Sequence, residues 1–173
     1  MRVHYLAGVV VAAAMLGGGC SAVTQSERVH QMGDLATVGP VIYNVLETEW
    51  RAGLGETFQQ KIPKNKYLLV RLTITNSGNK DVAIPLLSLE DQAGNSHMEV
   101  SEVEGLSGWL GLLRVVEPAG TLQGVIVFDV PVGDYRLRVT DGGELESEKT
   151  ALVEIPLTLG TPDPIRSPDS VLE

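Results

Sequence analysis

The chain has 173 residues, a formal net charge of −9 and 43% hydrophobic residues, a composition that supports a core of ordinary size and excludes wholesale disorder. The acidic balance excludes a nucleic-acid binder of the usual kind, because phosphate-backbone affinity comes largely from Lys and Arg displacing counterions. A single cysteine excludes any intrachain disulfide, so the fold must stand on its core.

Residues 1–19 begin with Arg2, run through an apolar stretch from Tyr5 to Leu16 and end in small residues before Cys20. As a helix that stretch would span about 18 Å at roughly 1.5 Å per residue, well short of the roughly 30 Å hydrocarbon core of a bilayer. It reads as a signal peptide rather than a permanent span. The segment Leu16-Gly17-Gly18-Gly19-Cys20 resembles the lipobox of bacterial lipoproteins, departing from it at Gly17, where leucine is usual. That resemblance implies a mature chain starting at Cys20 and carrying a diacylglyceryl group and fatty acid such as palmitate there. Two or three acyl chains make a stable anchor, whereas one does not. The implied address is the bacterial cell envelope, extracytoplasmic and lipid-anchored; the competing reading is a plain secretory signal with a cysteine nearby. Losing the leader removes Arg2 and no acid, so the mature chain is one unit more acidic. Residues 20–37 (CSAVTQSERVHQMGDLAT) hold no sustained apolar period and read as the lipidated cysteine and a flexible tether, with a short helix over Glu27–Asp34 as the alternative.

The domain spans residues 38–159. Val38–Arg51 places Val41, Tyr43 and Val45 on one face and Ile42, Leu46 and Trp50 on the other, which predicts a first strand with Pro40 near its start; a helix over Glu47–Gln59 is the competitor, which Gly53 and Gly55 would break. Ala52–Lys66 reads as a loop. Tyr67–Asn76 (YLLVRLTITN) alternates most clearly: Leu68, Val70, Leu72 and Ile74 point to a dry face, while Tyr67, Arg71, Thr73 and Thr75 point to a wet one. Ordering ten such residues costs roughly 10–20 kcal/mol of backbone entropy, against roughly 6–12 kcal/mol from burying four aliphatic side chains. The strand therefore needs neighbours and a second apolar layer. Turn clusters follow at Ser77–Lys80 and Asp91–Asn95, and a short strand is expected within Ser96–Val100. Ser101–Leu113 is glycine-rich and partly apolar, which predicts a long loop. Glu117–Gly120 is a turn ahead of Gly124–Pro131 (GVIVFDVP), apolar on both faces and expected as a central strand covered twice. Tyr135, Leu137 and Val139 alternate with arginines, Asp141-Gly142-Gly143 signals a hairpin, and Ala151, Val153 and Ile155 mark its returning arm. Residues 160–173 form a Pro-rich tail expected to be disordered.

Several short strands, turn-separated and without a long helix, predict an all-β antiparallel sandwich. Four short motifs occur in order: Asn76 with Gly78, Asp91 with Gly94, Pro118 with Gly120, and Gly124 with Phe128 and Pro131. Over Val38–Leu159 this pattern is similar to an immunoglobulin-like domain family of unknown function found in bacterial lipoproteins, whose fold resembles the mycobacterial immunoprotective extracellular protein. The resemblance implies the immunoglobulin-like fold and an envelope setting. It carries no catalytic residues.

The sequence holds no nucleophile elbow, P-loop, HExxH or dinucleotide fingerprint, so no enzyme, no cofactor and no metal are expected. Two acidic groups, Glu99/Glu102/Glu104 and Asp141/Glu144/Glu146/Glu148, read as solvated edges, since calcium wants a denser ligand set. Asp129, a carboxylate inside an apolar strand, is expected to reach solvent or a loop N–H. Leu106, Trp109, Leu110, Leu112 and Leu113 form either a contact surface or a cap on the core. Three functions remain in order: a non-catalytic binding or scaffolding module with another envelope protein as partner, a carrier of a small apolar ligand in a pocket near Trp109, and a hydrolase using His97.

Overall fold

Alternating side chains become strands paired in two layers in the computed structural model, which describes residues 27–55, 61–144 and 146–157. In chain order these are β1 (Val29–His30), β2 (Leu35–Val38), β3 (Val41–Arg51), β4 (Lys66–Asn76), β5 (Val82–Ile84), β6 (Ser88–Glu90), β7 (Ser96–Met98), β8 (Arg114–Val116), β9 (Thr121–Val130), β10 (Tyr135–Thr140) and β11 (Thr150–Ile155). One sheet runs β2-β3-β4-β9, the other β1-β11-β10-β6-β7, and β5 pairs with β8 in a short ribbon. Every pairing is antiparallel except β1 with β11. The molecule is an all-β, immunoglobulin-like sandwich. The expected signal peptide, Cys20 and the expected Pro-rich tail over residues 160–173 lie outside the described residues.

Period-2 alternation sends Val41, Tyr43 and Val45 of β3, Leu68, Val70, Leu72 and Ile74 of β4, and Ile126 and Phe128 of β9 into one core. Leu89, Leu137, Val139, Val153 and Ile155 meet them from the facing sheet, and Ile84 and Val116 of the ribbon complete the cluster. Two tyrosines tie the layers. Tyr43 Oη donates to the Thr140 carbonyl at 2.6 Å across the sandwich, and burial pushes its phenol well above the usual tyrosine range. Tyr135 Oη donates to the Pro131 carbonyl at 2.7 Å, pinning the β9–β10 connection in the manner of the tyrosine corner of Greek-key sandwiches.

The structure corrects four expectations. The tether expected over residues 20–37 is sandwich in its second half: Val29 and His30 pair with Leu152 and Val153, and Leu35–Val38 pairs with β3 through a two-residue Gly39-Pro40 turn. Ala36 and Val38 are buried there, but a four-residue alternation was too short to be distinguished from a polar linker. Trp50 shares the core side with Val45, because a β-bulge between Val45 and Glu47 shifts the register. The outer face of β4 is wet only over Arg71–Thr75; Tyr67 and Leu69 are buried in a second, smaller cluster. Finally, β9 is an edge strand of its sheet, not a central one, and its double covering has another source. Asp129 behaves as expected, accepting from the Lys64 and Asn65 N–H groups at 2.7 and 2.8 Å.

Replacing Tyr43 by Phe removes the donor to the Thr140 carbonyl and should cost about 1–3 kcal/mol. Denaturant titration reads this as a lower midpoint at unchanged slope; an unchanged midpoint would mean that the carbonyl is satisfied elsewhere.

Candidate interaction site

The bulge in β3 decides which side chains meet on the outer face. An unbroken period of 2 would carry Glu47, Glu49 and Arg51 to the same side as Val41, Tyr43 and Val45. The extra residue at Leu46 turns them outward instead, opposite Arg71 and Tyr67 of β4. Arg71 Nε then donates to Glu47 Oε1, and Arg51 donates through Nε and Nη2 to the two oxygens of Glu49 at 2.8 Å. That hydrogen bond holds the Glu49 carboxyl below the usual carboxylate range. Beside this charged ledge rises the loop that follows β7, and the cleft between them encloses about 350 Å³. Leu69 and Val125 form its floor, and Gly105, Leu106 and Ser107 form the loop wall.

The loop is held by an ion pair that the acidic pattern concealed. Glu99, expected as a solvated acid, is fully buried with Arg114. Arg114 donates through both terminal nitrogens to the two Glu99 oxygens, with 2.8 Å to Oε1, and through Nε to the Gly111 carbonyl at 2.8 Å. Glu99 Oε1 also accepts from the Leu87 N–H at 2.6 Å. Burying two charges is tolerable only with such complete hydrogen bonding. Glu102 and Glu104 are exposed as expected.

Clamped at both ends, the loop lies along the free edge of β9. The Val100 N–H donates to the Val127 carbonyl, Val125 N–H to the Gly108 carbonyl, and Leu110 N–H to the Val125 carbonyl, at 2.8, 2.8 and 3.0 Å. Val103, with Leu106 and Trp109 against it, covers Leu54, Tyr67, Leu69, Val125 and Val127. This is how β9 becomes dry on both faces while remaining at a sheet edge. Gly124 permits the approach: a methyl group there would sit 2.5 Å from the Gly108 carbonyl oxygen and 2.6 Å from Leu110 Cδ2.

The five residues expected to act together are therefore divided. Leu106 lines the cleft, Trp109 packs on the second cluster, and Leu110 packs against the main core. Leu112 and Leu113 project into solvent. Neither this cleft nor a second one of about 450 Å³ near Asp91, Asp134 and Tyr135 is lined by Trp109 or Leu110, the residues on which an apolar-ligand pocket was expected. His97 is half-buried in β7, 3.1 Å from Asp91 Oδ2 and edge-on to the Tyr135 ring. Asp91 is committed to its turn: Oδ1 accepts from the Ala93 and Asn95 N–H groups, and Oδ2 accepts from Asn95 Nδ2. The Asn95 side chain first, then its backbone and His97, hold the Asp91 carboxyl far below the usual range. Among the described residues no three His, Cys, Asp or Glu side chains gather as a metal site would require.

The sequence profile of a domain of unknown function, DUF4352, matches residues 30–150. The chain belongs to this family. Solved structures share the sandwich: the YjhA protein of Bacillus subtilis superposes with a TM-score of 0.57 at 17% identity, over 73% of this chain and 98% of that one. YcdA of Bacillus subtilis, a candidate lipoprotein, gives 0.56 at 15%, over 71% of this chain and 38% of its own. A protein of unknown function from Listeria monocytogenes gives 0.53 at 12%, over 72% and 82%. At these identities the likeness is one of fold. None of the curated proteins compared matches the chain. The four motifs that signalled the DUF4352 pattern have structural duties here. Asn76 is buried, its Nδ2 donating to the Lys80 and Val116 carbonyls at 2.7 and 2.8 Å and its Oδ1 accepting from Gly78 N–H at 2.8 Å. Gly120 closes its turn on the Glu117 carbonyl and accepts from Asn76 N–H. Pro131 supplies the carbonyl for Tyr135.

Two outcomes test this geometry. Arg114→Met leaves a buried carboxylate alone and should cost about 3–5 kcal/mol, while the double variant Glu99→Leu/Arg114→Met should recover much of that loss. A double variant as unstable as the sum of the singles would deny the coupling. The depressed Asp91 carboxyl stabilises the fold at pH values above the ordinary Asp range, about 3.9, and that contribution fades as pH falls toward the lower folded value. Acid unfolding of wild type should therefore be steeper below about pH 4 than that of Asp91→Ala; parallel curves would remove Asp91 from the account.

Proposed function

We propose that this protein is a non-catalytic binding or scaffolding module, held by a lipid on Cys20 at the extracytoplasmic face of a bacterial membrane, whose partner is another envelope protein. The anchor is supported by the Leu16–Cys20 segment and by the shared fold of YcdA, the candidate lipoprotein. The observation that carries the binding role is the cleft between the Glu47/Glu49/Arg51/Arg71 ledge and Leu106. Half-exposed ion pairs such as these contribute at most about 1 kcal/mol each. Two of them side by side therefore do little for stability, yet they offer charges of both signs beside an apolar floor. Each arginine keeps guanidinium donors beyond those that bind its glutamate. An extended segment of a partner carrying carboxylates or open backbone carbonyls fits that surface, with an apolar side chain on Leu69 and Leu106.

Cys20→Ala should abolish fatty-acid labelling and membrane retention. A photo-reactive residue at position 106 in the anchored protein should give one defined protein adduct in cells, absent from position 92 and lost with Arg71→Glu. Equal adducts from both positions, or indifference to Arg71→Glu, would defeat the assignment of the cleft.

A further inference from the structure

One arm of the fold carries apolar side chains that serve no core. Leu113 is 95% exposed, Met98 58%, Val115 54% and Leu112 47%. Arg114 and Val116 are buried on either side of Val115, so Leu113 and Val115 share the outward side of β8. The turn that presents them is rigid, with Gly111 at φ +71° and its carbonyl gripped by Arg114 Nε. Met98 immediately precedes Glu99, the other half of the clamp. Three exposed apolar side chains within four residues, Leu112, Leu113 and Val115, make a patch rather than the scattered single exposures that are normal on a surface.

The pairing registers place this arm. β1 runs parallel to β11, with Val29 opposite Leu152, so the chain before Val29 approaches from the end where Thr150 faces Thr140. Gly142, two residues past Thr140, lies against the Ala83 carbonyl, with no room for a methyl group between them. Ala83 pairs with Val115. Val115, with Leu112 and Leu113 just before it in the chain, is thus on the side of the sandwich toward the end where the chain from Cys20 enters. The Asp91 turn, near Asp134 and Tyr135, is at the other end. From Cys20 to Glu27 the chain can reach at most about 25 Å, at roughly 3.6 Å per residue. Across the sheet from β1 to β7 the distance is about 19 Å at ~4.8 Å per strand. An anchor at Cys20 therefore holds this end, arm included, close to the lipid.

We propose that Leu112, Leu113 and Val115 form a second, non-covalent contact with the membrane surface, docking the domain on its own bilayer; this rests on the reading of Cys20 as the lipid anchor. The surface they fit is zwitterionic phospholipid. Asp81, Asp141, Glu144 and Glu148 lie near the same end against Lys80 and Lys149, so anionic headgroups oppose the contact. A short tether supplies a high effective concentration, so a shallow apolar contact is enough to keep the domain docked.

The test couples the mature chain through its Cys20 thiol to a maleimide headgroup lipid in phosphatidylcholine vesicles with brominated acyl chains. Leu113→Trp should add fluorescence that the bromines quench; Gln92→Trp, at the far end, should add fluorescence that they do not. Replacing half of the lipid by phosphatidylglycerol should weaken the quenching, and added salt should restore it. Equal quenching at both positions, or none at 113, overturns the proposal. So does a change in the 113 signal that follows protein density on the vesicle rather than bromination, which would identify a second copy as the occupant. Because the coupling is chemical, this outcome is independent of fatty-acid labelling in cells, and failure of the anchor reading shows separately there.

Discussion

The Glu99–Arg114 ion pair fixes more of this structure than its place in a loop suggests. Its two members are 15 residues apart and fully buried, and between them they hold the Leu87 N–H and the Gly111 carbonyl as well as each other. A pair of this kind gains little over an apolar replacement of equal volume, because desolvation consumes most of the Coulombic attraction. What it contributes is position. An apolar plug could slide or rotate, whereas a bidentate guanidinium–carboxylate contact with further backbone partners admits one register. That register decides where the loop backbone meets β9.

The consequence for β9 is large. An exposed edge strand with Val125, Val127 and Phe128 in it would invite pairing with another chain. Here the edge is occupied by Val100, Gly108 and Leu110 backbone groups, and the outer face is covered by Val103 and Trp109. The same loop supplies Leu106 to one side of the cleft and Leu112 and Leu113 to solvent. Coverage, cleft wall and exposed arm are three uses of one clamped segment, which is why its apolar residues could not all be assigned to a single surface.

What the sequence made legible follows from periodicity. β4, β10 and β11 alternate over six or more residues and were readable in both identity and facing. The bulge at Leu46 was not readable, because Val41 to Trp50 is equally compatible with an unbroken strand and only the partner register distinguishes them. β1 and β2 are too short to show a period, and β1 depends on parallel pairing with a strand more than a hundred residues away. The ion pair left a fainter trace: Arg114 stands between Leu112-Leu113 and Val115-Val116, and Glu99 between Met98 and Val100. A charge inside an apolar run, matched by an opposite charge inside another, is the signal that grouping Glu99 with its acidic neighbours obscured. Family resemblance added the fold and no chemistry, and the structure explains why. Asn76, Asp91, Gly120 and Pro131 satisfy backbone groups at turns, a duty that any function built on the sandwich would preserve.

The positions of the two surfaces then constrain each other. The chain enters at the Thr140–Thr150 end, where the apolar arm also lies, and the charged ledge sits on the outer face of β3 and β4, at the rungs where Glu47 faces Arg71 and Glu49 faces Leu69. Were the domain held by its entry end, as the proposed lipid on Cys20 would hold it, that face would look sideways along the membrane toward a neighbouring protein. Tumbling on a loose tether would instead average the ledge over all orientations and give up the entropic advantage of a fixed approach. Residues 27–38 are ordered against the sandwich, through Glu27 on Arg138, Gln31 on Glu154 and β2 on β3. With the proposed lipid on Cys20, an ordered lead from Glu27, an apolar end and a lateral ledge would together set one height and orientation of the domain above the surface.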